Sequence, residues 1–276
     1  MPKPLPSNLT LITRQALRRD VPSIASLLAS APDDGSVYQY PTYFDYPKEW
    51  KQLHMGWLGP EVHDPTTLIR VAVVREEGGD ETVVGFSSWG GKVLDGDSGK
   101  TKGGNIWANW GEALDLEASE EPELEPELDT SKAMESSSVH SEAVRRNLAM
   151  QESLSPTQFT PCYQLTGLSV HPDHQGYGIG SLLVRWGLEK AAEEGLPVFT
   201  AGEARGVEFY ERALGFQKIK GSEYWLDKGG KDITSEDVAA GNDDWMKLNG
   251  GVSGAEMVWC PKKYRIEVRG HVYGVL

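Results

Sequence analysis

Three glycines with the spacing of an anion-binding turn are the residues of this sequence whose chemistry is easiest to infer. Gly176, Gly178 and Gly180 follow a short apolar segment, residues 165–170. Glycines lack the side chains that would hold an anion away from backbone N–H groups, and they adopt the conformations that tight turns need. Residues 175–181 are therefore predicted to bind a phosphate or diphosphate group.

A helix is predicted to begin directly after this turn. Ile179, Leu182, Leu183 and Trp186 lie at relative positions 0, 3, 4 and 7, which is the period of one apolar helix face. The free amides and the dipole at a helix N-terminus attract anions, so this helix would add positive potential to the turn.

Two ordered segments resemble one enzyme family. The run Gln175-Gly-Tyr-Gly178-Ile-Gly180 resembles the Gln/Arg-x-x-Gly-x-Gly/Ala signature of the GNAT superfamily of N-acetyltransferases. About thirty residues downstream, a segment with the pair Phe209-Tyr210 and the ending Gly215-Phe216 resembles the Phe-Tyr to Gly-Phe segment of the same family. The resemblance is good over residues 165–219 and looser at the N-terminus.

The resemblance implies an α/β fold, classed as α+β in some schemes. A mixed, mostly antiparallel sheet of six to seven strands would be flanked by about four helices, and two splayed strands would form the acetyl-CoA cleft. Local patterns predict a helix after Asp20, with Pro22 in its first turn, and a hairpin at residues 76–80. Further elements are predicted at residues 9–13, 47–58, 68–75, 82–89, 198–201, 207–214, 216–226, 256–260 and 266–268.

A single domain over residues 1–276 is expected, with two polar interruptions. Residues 91–160 are predicted to be a largely disordered acidic and Ser-rich insertion, because residues 112–129 hold nine acidic residues and no basic one. Residues 106–110 are expected to anchor this insertion on the folded body, and residues 227–254 are predicted to be a polar loop.

Composition excludes several classes of protein. A net charge of −14 argues against a nucleic-acid partner, and two cysteines are too few for a disulfide framework or a four-ligand metal site. The sequence has neither a run of roughly 18 apolar residues nor the apolar core of a secretory signal, so no membrane partner and a cytoplasmic or nuclear location are expected. We expect a monomer or a homodimer.

The resemblance implies acetyl-CoA as cosubstrate, without a metal. The backbone of the strand over residues 165–170 would pair with the pantetheine arm, and Gly167 would mark a bulge that opens the cleft. The implied cofactor-binding set is Leu168, Ser169, Val170, Gln175, Gly176, Tyr177, Gly178, Ile179, Gly180, Ser181, Phe209 and Tyr210.

Acetyl transfer to an amine needs a base for the ammonium and an acid for the leaving thiolate. By resemblance, Tyr210 would be the general acid that faces the coenzyme sulfur. Several relatives carry a glutamate where this chain has Gln164. Glu203 and His171 are therefore the two candidate bases, and both remain open.

The acceptor side is predicted only in outline. By resemblance, the region that includes residues 47–58 covers the acceptor pocket. Trp107 and Trp110 are expected either to form a lid over it or to anchor the insertion. Five aromatic residues are either pocket walls or core: Tyr38, Tyr40, Tyr43, Phe44 and Trp50.

The sequence thus predicts an acetyl-CoA-dependent N-acetyltransferase that acts by direct attack in a ternary complex on a primary amine of a small molecule or peptide. A catalytically silent coenzyme A binding module and a protein N-terminal or lysine acetyltransferase are the alternatives. A nicotinamide oxidoreductase is disfavoured, because its Gly-x-Gly-x-x-Gly run follows its strand directly, whereas a polar spacer, residues 171–175, stands here.

Overall fold

The fold is described from a computed structural model of the 276-residue chain. The described residues are 2–32, 34–40, 42–76, 78–94, 101–104, 106, 110, 128–135, 161–220, 222–226, 252–262, 264–268 and 270–274. Predictions for most of residues 91–160 and 227–254, including their disorder, lie outside this part of the chain.

The N-terminal third supplies one edge strand and the helices of one face. Strand β1 (Leu9–Gln15) is followed by helices α1 (Val21–Ser30), α2 (Asp34–Gln39) and α3 (Pro47–Glu61). Asp20 precedes α1 as predicted, but its carboxylate binds Arg14 and the N–H of Leu17 rather than an amide of the helix.

The central hairpin consists of β2 (Thr67–Glu76) and β3 (Glu81–Leu94), which pair antiparallel across the predicted turn. Strand β3 continues past Trp89, and β4 (Thr101–Gly104) pairs with its end. The sheet therefore extends into the range predicted as an insertion.

The remaining elements complete the sheet and cover its second face. They are β5 (Cys162–Val170), α4 (Ile179–Glu194), β6 (Val198–Glu203), α5 (Ala204–Phe209), β7 (Gln217–Lys218), β8 (Tyr224–Leu226), β9 (Val252–Trp259), β10 (Ile266–Val268) and β11 (His271–Tyr273). The segment predicted as one strand at residues 216–226 is two short strands, and β9 begins within the predicted polar loop.

The main sheet confirms the predicted fold class. Its strand order is β1-β2-β3-β5-β6-β9-β7, with β4 paired to β3 and β8 paired to β9. All of these neighbours are antiparallel except β5 and β6, which are parallel. In the described part of the chain the sheet has nine strands, more than the six to seven predicted, because β4 is an additional strand and the segment predicted as one strand forms both β7 and β8.

Helices pack on both faces of this sheet. Ile24 and Leu27 of α1 pack against Val71 and Phe86 on one face, and α4 covers the other. Gly187 lets α4 approach the sheet closely, because a Cβ added at this position would lie 2.3 Å from the Trp89 ring of β3. Among the described residues, no helix is both long and apolar enough to cross a bilayer.

Candidate active site

Two neighbouring strands, β5 and β6, separate part-way along their length. Their parallel ladder ends at Leu165 opposite Thr200. Beyond this pair, β5 continues to Val170 alongside β3, and β6 continues to Glu203 alongside β9. A V-shaped cleft therefore opens between residues 166–170 and the end of β6.

A β-bulge in β5 lies where the cleft begins. Ser88 of β3 faces Gly167 while Trp89 faces Leu165, so Thr166 is the extra residue of the bulge. A bulge turns the strand that follows it and increases its twist. The predicted bulge at Gly167 is confirmed, and it accounts for the separation of the two strands.

The backbone of β5 presents its polar groups to the cleft in a regular order. The N–H of His171 donates to the Val84 carbonyl at 2.8 Å, which fixes the residues whose backbone faces β3. Because these groups alternate along a strand, those of Leu168 and Val170 point into the cleft. The side-chain amide of Gln175 donates to the Val170 carbonyl at 3.1 Å from the same side.

The apex of the cleft holds a buried tyrosine. Thr200 Oγ1 donates to the Leu165 carbonyl at 2.9 Å, and the hydroxyl of Tyr210 is hydrogen-bonded to the Thr200 side chain. The Tyr210 ring packs on Gly202, where an added Cβ would lie 3.2 Å away. Burial raises the pKa of Tyr210 to about 12, against a smaller lowering by the Thr200 hydrogen bond. This hydroxyl therefore keeps its proton at neutral pH and can act as a donor.

The glycine turn lies at the open end of β5. Gly176 (φ 84°) and Gly178 (φ 81°) are both left-handed, a conformation that favours glycine. Gly178 is the N-cap of α4 and supplies no capping side chain, and the first turn of α4 has no acidic residue. The amides of residues 179–181 consequently have no partner within the helix and can accept an anion.

Helix α5 and the π-helical turn Tyr210–Leu214 place an aromatic pair along the cleft. Phe209 lies on the start of α4, because an added Cβ on Gly180 would lie 3.4 Å from its ring. Tyr210 follows at the apex. A π-helical turn is a local distortion that is frequent at functional sites.

A cavity of ≈ 340 Å³ lies between α3 and the bulged part of β5. It meets the same β5 residues that border the cleft, so a group bound in it would approach the cleft from the face of α1 and α3. Its lining includes His54, Trp57, Leu58 and Glu61 of α3, Phe86 and Ser88 of β3, and Thr166, Gly167, Leu168 and Ser169 of β5.

The polar side chains of this cavity suit a cationic ligand. Burial, and secondly the Asp64 carboxylate, raise the pKa of Glu61 above its ordinary value. Nε2 of His54 lies 3.0 Å from the Tyr43 hydroxyl. The Trp57 ring stands edge-on to His54 at 5.3 Å and is 51% exposed. A carboxylate and an aromatic ring both attract an ammonium group.

The two bases predicted from the sequence lie elsewhere. Glu203 ends the β6 arm of the cleft and is the N-cap of α5. His171 follows the β5 arm, and its Nδ1 accepts the N–H of Asp173 at 3.3 Å. Neither residue is among those that line the cavity.

The aromatic residues predicted as walls or core prove to be mostly core. Tyr43 and Trp50 are buried and stacked at 4.3 Å, and Tyr40 meets Trp50 edge-on at 4.8 Å. Phe44 is 63% exposed and does not line the cavity. The side chain of Tyr38 lies outside the described residues.

Trp110 is an anchor of the insertion and not a lid. It is buried, its ring lies 4.0 Å from that of Tyr163, and its indole N–H donates to Glu194 at 2.8 Å. The predicted anchor is thus confirmed at Trp110, and the predicted lid is wrong there because the ring fills core. Trp107 lies outside the described residues.

Sequence reasoning missed Glu61 and did not assign His54 and Trp57 to the pocket. Their spacing of 0, 3 and 7 places them on one face of α3, and this periodicity is visible in the sequence. What the sequence did not show is which residues of β3 and β5 this face meets.

Neither a metal nor a nucleophilic cysteine is indicated in the described part of the chain. No group of three His, Cys, Asp or Glu residues with metal-ligand geometry occurs there. Cys162 and Cys260 are both free thiols. Burial raises the pKa of Cys260 to about 11, so this thiol stays protonated and unreactive at neutral pH.

Comparison with known sequences supports the resemblance inferred from the motifs. The sequence model of the acetyltransferase (GNAT) family matches residues 145–216, which include β5, the glycine turn, α4, β6 and the Phe209-Tyr210 pair. The resemblance to this family is therefore confirmed over that segment.

Several solved structures are similar to this chain. One is a mosquito arylalkylamine N-acetyltransferase-like 5b, which is 15% identical to this chain. The match covers 91% of this chain and 100% of the mosquito protein, with a TM-score of 0.49. The polyamine N-acetyltransferase of Drosophila melanogaster is 14% identical, with the same coverages and a TM-score of 0.49. The PaiA N-acetyltransferase of Thermoplasma acidophilum, in complex with coenzyme A, is 11% identical over 91% of this chain and 99% of its own, with a TM-score of 0.43.

Proposed function

We propose that this protein, which carries the acetyltransferase (GNAT) match at residues 145–216, transfers an acetyl group from acetyl-CoA to a primary amine by direct attack in a ternary complex. The observation that carries the proposal is a single cleft with a polar strand edge along β5, an uncapped glycine turn at its mouth and Tyr210 at its apex. These features match, in order, the pantetheine, diphosphate and thioester of one cosubstrate.

The coenzyme would lie along β5. Backbone groups of Leu168 and Val170 would pair with the pantetheine amides as a neighbouring strand does. The amides of residues 176–181 would hold the diphosphate, with the α4 dipole in place of a metal. Phe209 would pack beside the coenzyme where it enters the cleft.

The chemistry at the apex requires a hydrogen-bond donor. The neutral amine nitrogen attacks the thioester carbonyl carbon and the C–N bond forms. The C–S bond then breaks to leave a thiolate, and the nitrogen loses its remaining extra proton to the base or to water, which gives the neutral amide. With a pKa of about 12, Tyr210 would remain a hydroxyl throughout the reaction and stabilise the developing thiolate by donating a hydrogen bond. Removing one preorganised hydrogen-bond donor to a developing anion typically costs about 10² to 10³ in rate.

The acceptor would enter through the ≈ 340 Å³ cavity. An alkyl ammonium with a pKa near 10.4 needs roughly 4 to 5 kcal/mol to lose its proton at neutral pH, so a base beside it is useful. Glu61 is our first choice, because burial raises its pKa above that of an ordinary carboxyl and makes it a stronger base. Glu203 and His171 remain the alternatives on the coenzyme side.

Thiol release from acetyl-CoA across a panel of small amines and peptides, with mass spectrometry of the products, tests this proposal. We expect amine-dependent thiol release with an acetylated amine as product, unchanged by a metal chelator. Coenzyme binding without thiol release would instead identify a silent binding module. Acetylation confined to peptides would identify a protein acetyltransferase.

A further inference from the structure

The N-terminal segment of the chain lies across the glycine turn. The N–H of Lys3 donates to the Gly176 carbonyl at 2.8 Å. Pro2 covers Gly178, where an added Cβ would lie 3.2 Å from the proline ring. Leu5 packs against the apolar cluster that contains Ile179 of α4. Residues 2–5 are thus attached to the turn by both backbone and side-chain contacts.

These contacts hold the Lys3 side chain over the turn. Its Cε and Nζ lie 3.4 and 3.6 Å from the position of an added Cβ on Gly176. Nζ is also 5.9 Å from the centre of the Tyr177 ring. Because Gly176 has no side chain, the aliphatic part of the lysine lies directly on the backbone of the turn.

The charge balance at the turn calls for an anion. The first turn of α4 has no acidic residue and no capping side chain, so its amides and dipole are positive. Lys3 adds a full positive charge, and no ion pair with a carboxylate is found for it among the described residues. Residues 171–182 contain no lysine or arginine, so the turn itself lacks a cation, and the side chain of their one carboxylate, Asp173, is 85% exposed to solvent.

We propose that Lys3 is a coenzyme-binding residue whose ammonium group pairs with the diphosphate held by the glycine turn. This inference rests on the proposed function, because it assumes that a diphosphate occupies the turn. Backbone amides hold the phosphate oxygens in position, and a lysine adds a point charge that strengthens such contacts.

Binding of acetyl-CoA to Lys3→Gln, measured by calorimetry, tests the inference. We expect the affinity to fall about 10-fold, which corresponds to about 1.4 kcal/mol, and the loss to shrink as salt is added. Lys190→Gln is the matched control, because it removes the same charge from the second half of α4, where Lys190 pairs with Glu193. The control and Lys3→Arg should both keep the wild-type affinity.

Truncated donors separate a phosphate contact from a structural role. With S-acetylpantetheine, which has no phosphates, kcat/KM should be the same for wild type and Lys3→Gln. Acetyl-dephospho-coenzyme A is a thioester donor that keeps the diphosphate and lacks the 3′-phosphate. With this donor, the affinity of Lys3→Gln should still be about 10-fold lower than that of the wild type.

Four results would overturn the inference in different ways. A loss that also appears with S-acetylpantetheine would mean that Lys3 only supports the fold, and a loss that disappears with the dephospho donor would assign Lys3 to the 3′-phosphate. Equal affinities of wild type and Lys3→Gln for acetyl-CoA would refute the role of Lys3 alone. A wild-type protein without affinity for acetyl-CoA would refute the proposed function and this inference together.

Discussion

The proposed coenzyme side and the proposed acceptor side of this molecule are built by different means. On the coenzyme side, one continuous segment from β5 to Tyr210 supplies a strand edge, a glycine turn and a helix start, and most of the proposed contacts are backbone groups. On the acceptor side, the cavity is assembled from side chains of α1, α3, β3 and β5. On this proposal, the first side would determine which donor fits, and the second would let the acceptor change through single substitutions.

This difference predicts different outcomes for mutations on the two sides. Changes on the coenzyme side should impair donor binding or the chemical step for every acceptor. Changes on the acceptor side should alter KM or kcat/KM for the amine and leave the affinity for acetyl-CoA unchanged.

Tyr210→Phe should have the largest effect on turnover. The ring that packs on Gly202 is kept, so only the hydrogen-bond donor is lost, and we expect kcat to fall about 10²-fold with little change in the KM of either substrate. Loss of the hydrogen bond to Thr200 should lower the free energy of unfolding by only about 1 kcal/mol. Steady-state kinetics and thermal unfolding measure both quantities, and unchanged turnover would remove Tyr210 from the mechanism.

Gly178→Ala should weaken acetyl-CoA binding about 10-fold or more, since its φ of 81° disfavours a side chain and the amide turn must distort. Gly195→Ala is the matched control, because Gly195 ends the same helix at φ 71° with open space around it. Both variants should lose about 1 to 2 kcal/mol of stability from left-handed backbone strain. Calorimetry should find weaker coenzyme binding only for Gly178→Ala, and an equal loss in both would point to general destabilisation.

Glu61→Gln should lower kcat/KM for the amine about 10-fold at neutral pH and leave coenzyme affinity unchanged, since it removes only the proposed base. A base acts when deprotonated, so the activity of the wild type should rise with pH through the Glu61 pKa, which lies above the ordinary 4.5. The variant should lack this acidic limb in its pH profile. Glu49→Gln, at the other end of α3, is the control, and the same acidic limb in Glu61→Gln would exclude Glu61 as the base.

Trp57→Leu should give the smallest effect, a rise of about 3- to 5-fold in the KM of the amine. The change removes an exposed aromatic face that attracts cations by about 0.5 to 1 kcal/mol. Phe44→Leu provides the comparison, because Phe44 is also exposed and lies away from the cavity. Amine titrations at saturating acetyl-CoA should separate the two variants, whereas equal KM values would show that Trp57 does not contact the acceptor.

The sequence predicted the local structure of the proposed coenzyme side, the glycine turn, the helix start and the bulge, because the signals for these elements are local. Gly176 and Gly178 reveal a left-handed turn by residue type alone, and Ile179 begins a helix whose apolar period is visible in the next eight residues. The bulge at Thr166 could also be anticipated from the adjacent Gly167.

The acceptor side could not be predicted to the same extent because its signals are not local. Trp50 and His54 occupy one face of α3, yet Trp50 is core and His54 lines a cavity. Which of them is buried depends on how α3 packs on β3 and β5, and that packing is set by residues far away in the chain. The extension of β3 to Leu94 was missed for the same reason, since it depends on pairing with β4.

A crystal structure with bound coenzyme A is the most direct test of the central claim, that the cleft between β5 and β6 holds an acyl-coenzyme A donor. The diphosphate should lie within hydrogen-bond distance of the amides of residues 176–181, and pantetheine should pair with the backbone of Leu168 and Val170. The sulfur should lie beside the hydroxyl of Tyr210. Coenzyme bound elsewhere, with the glycine turn closed to phosphate, would contradict this account.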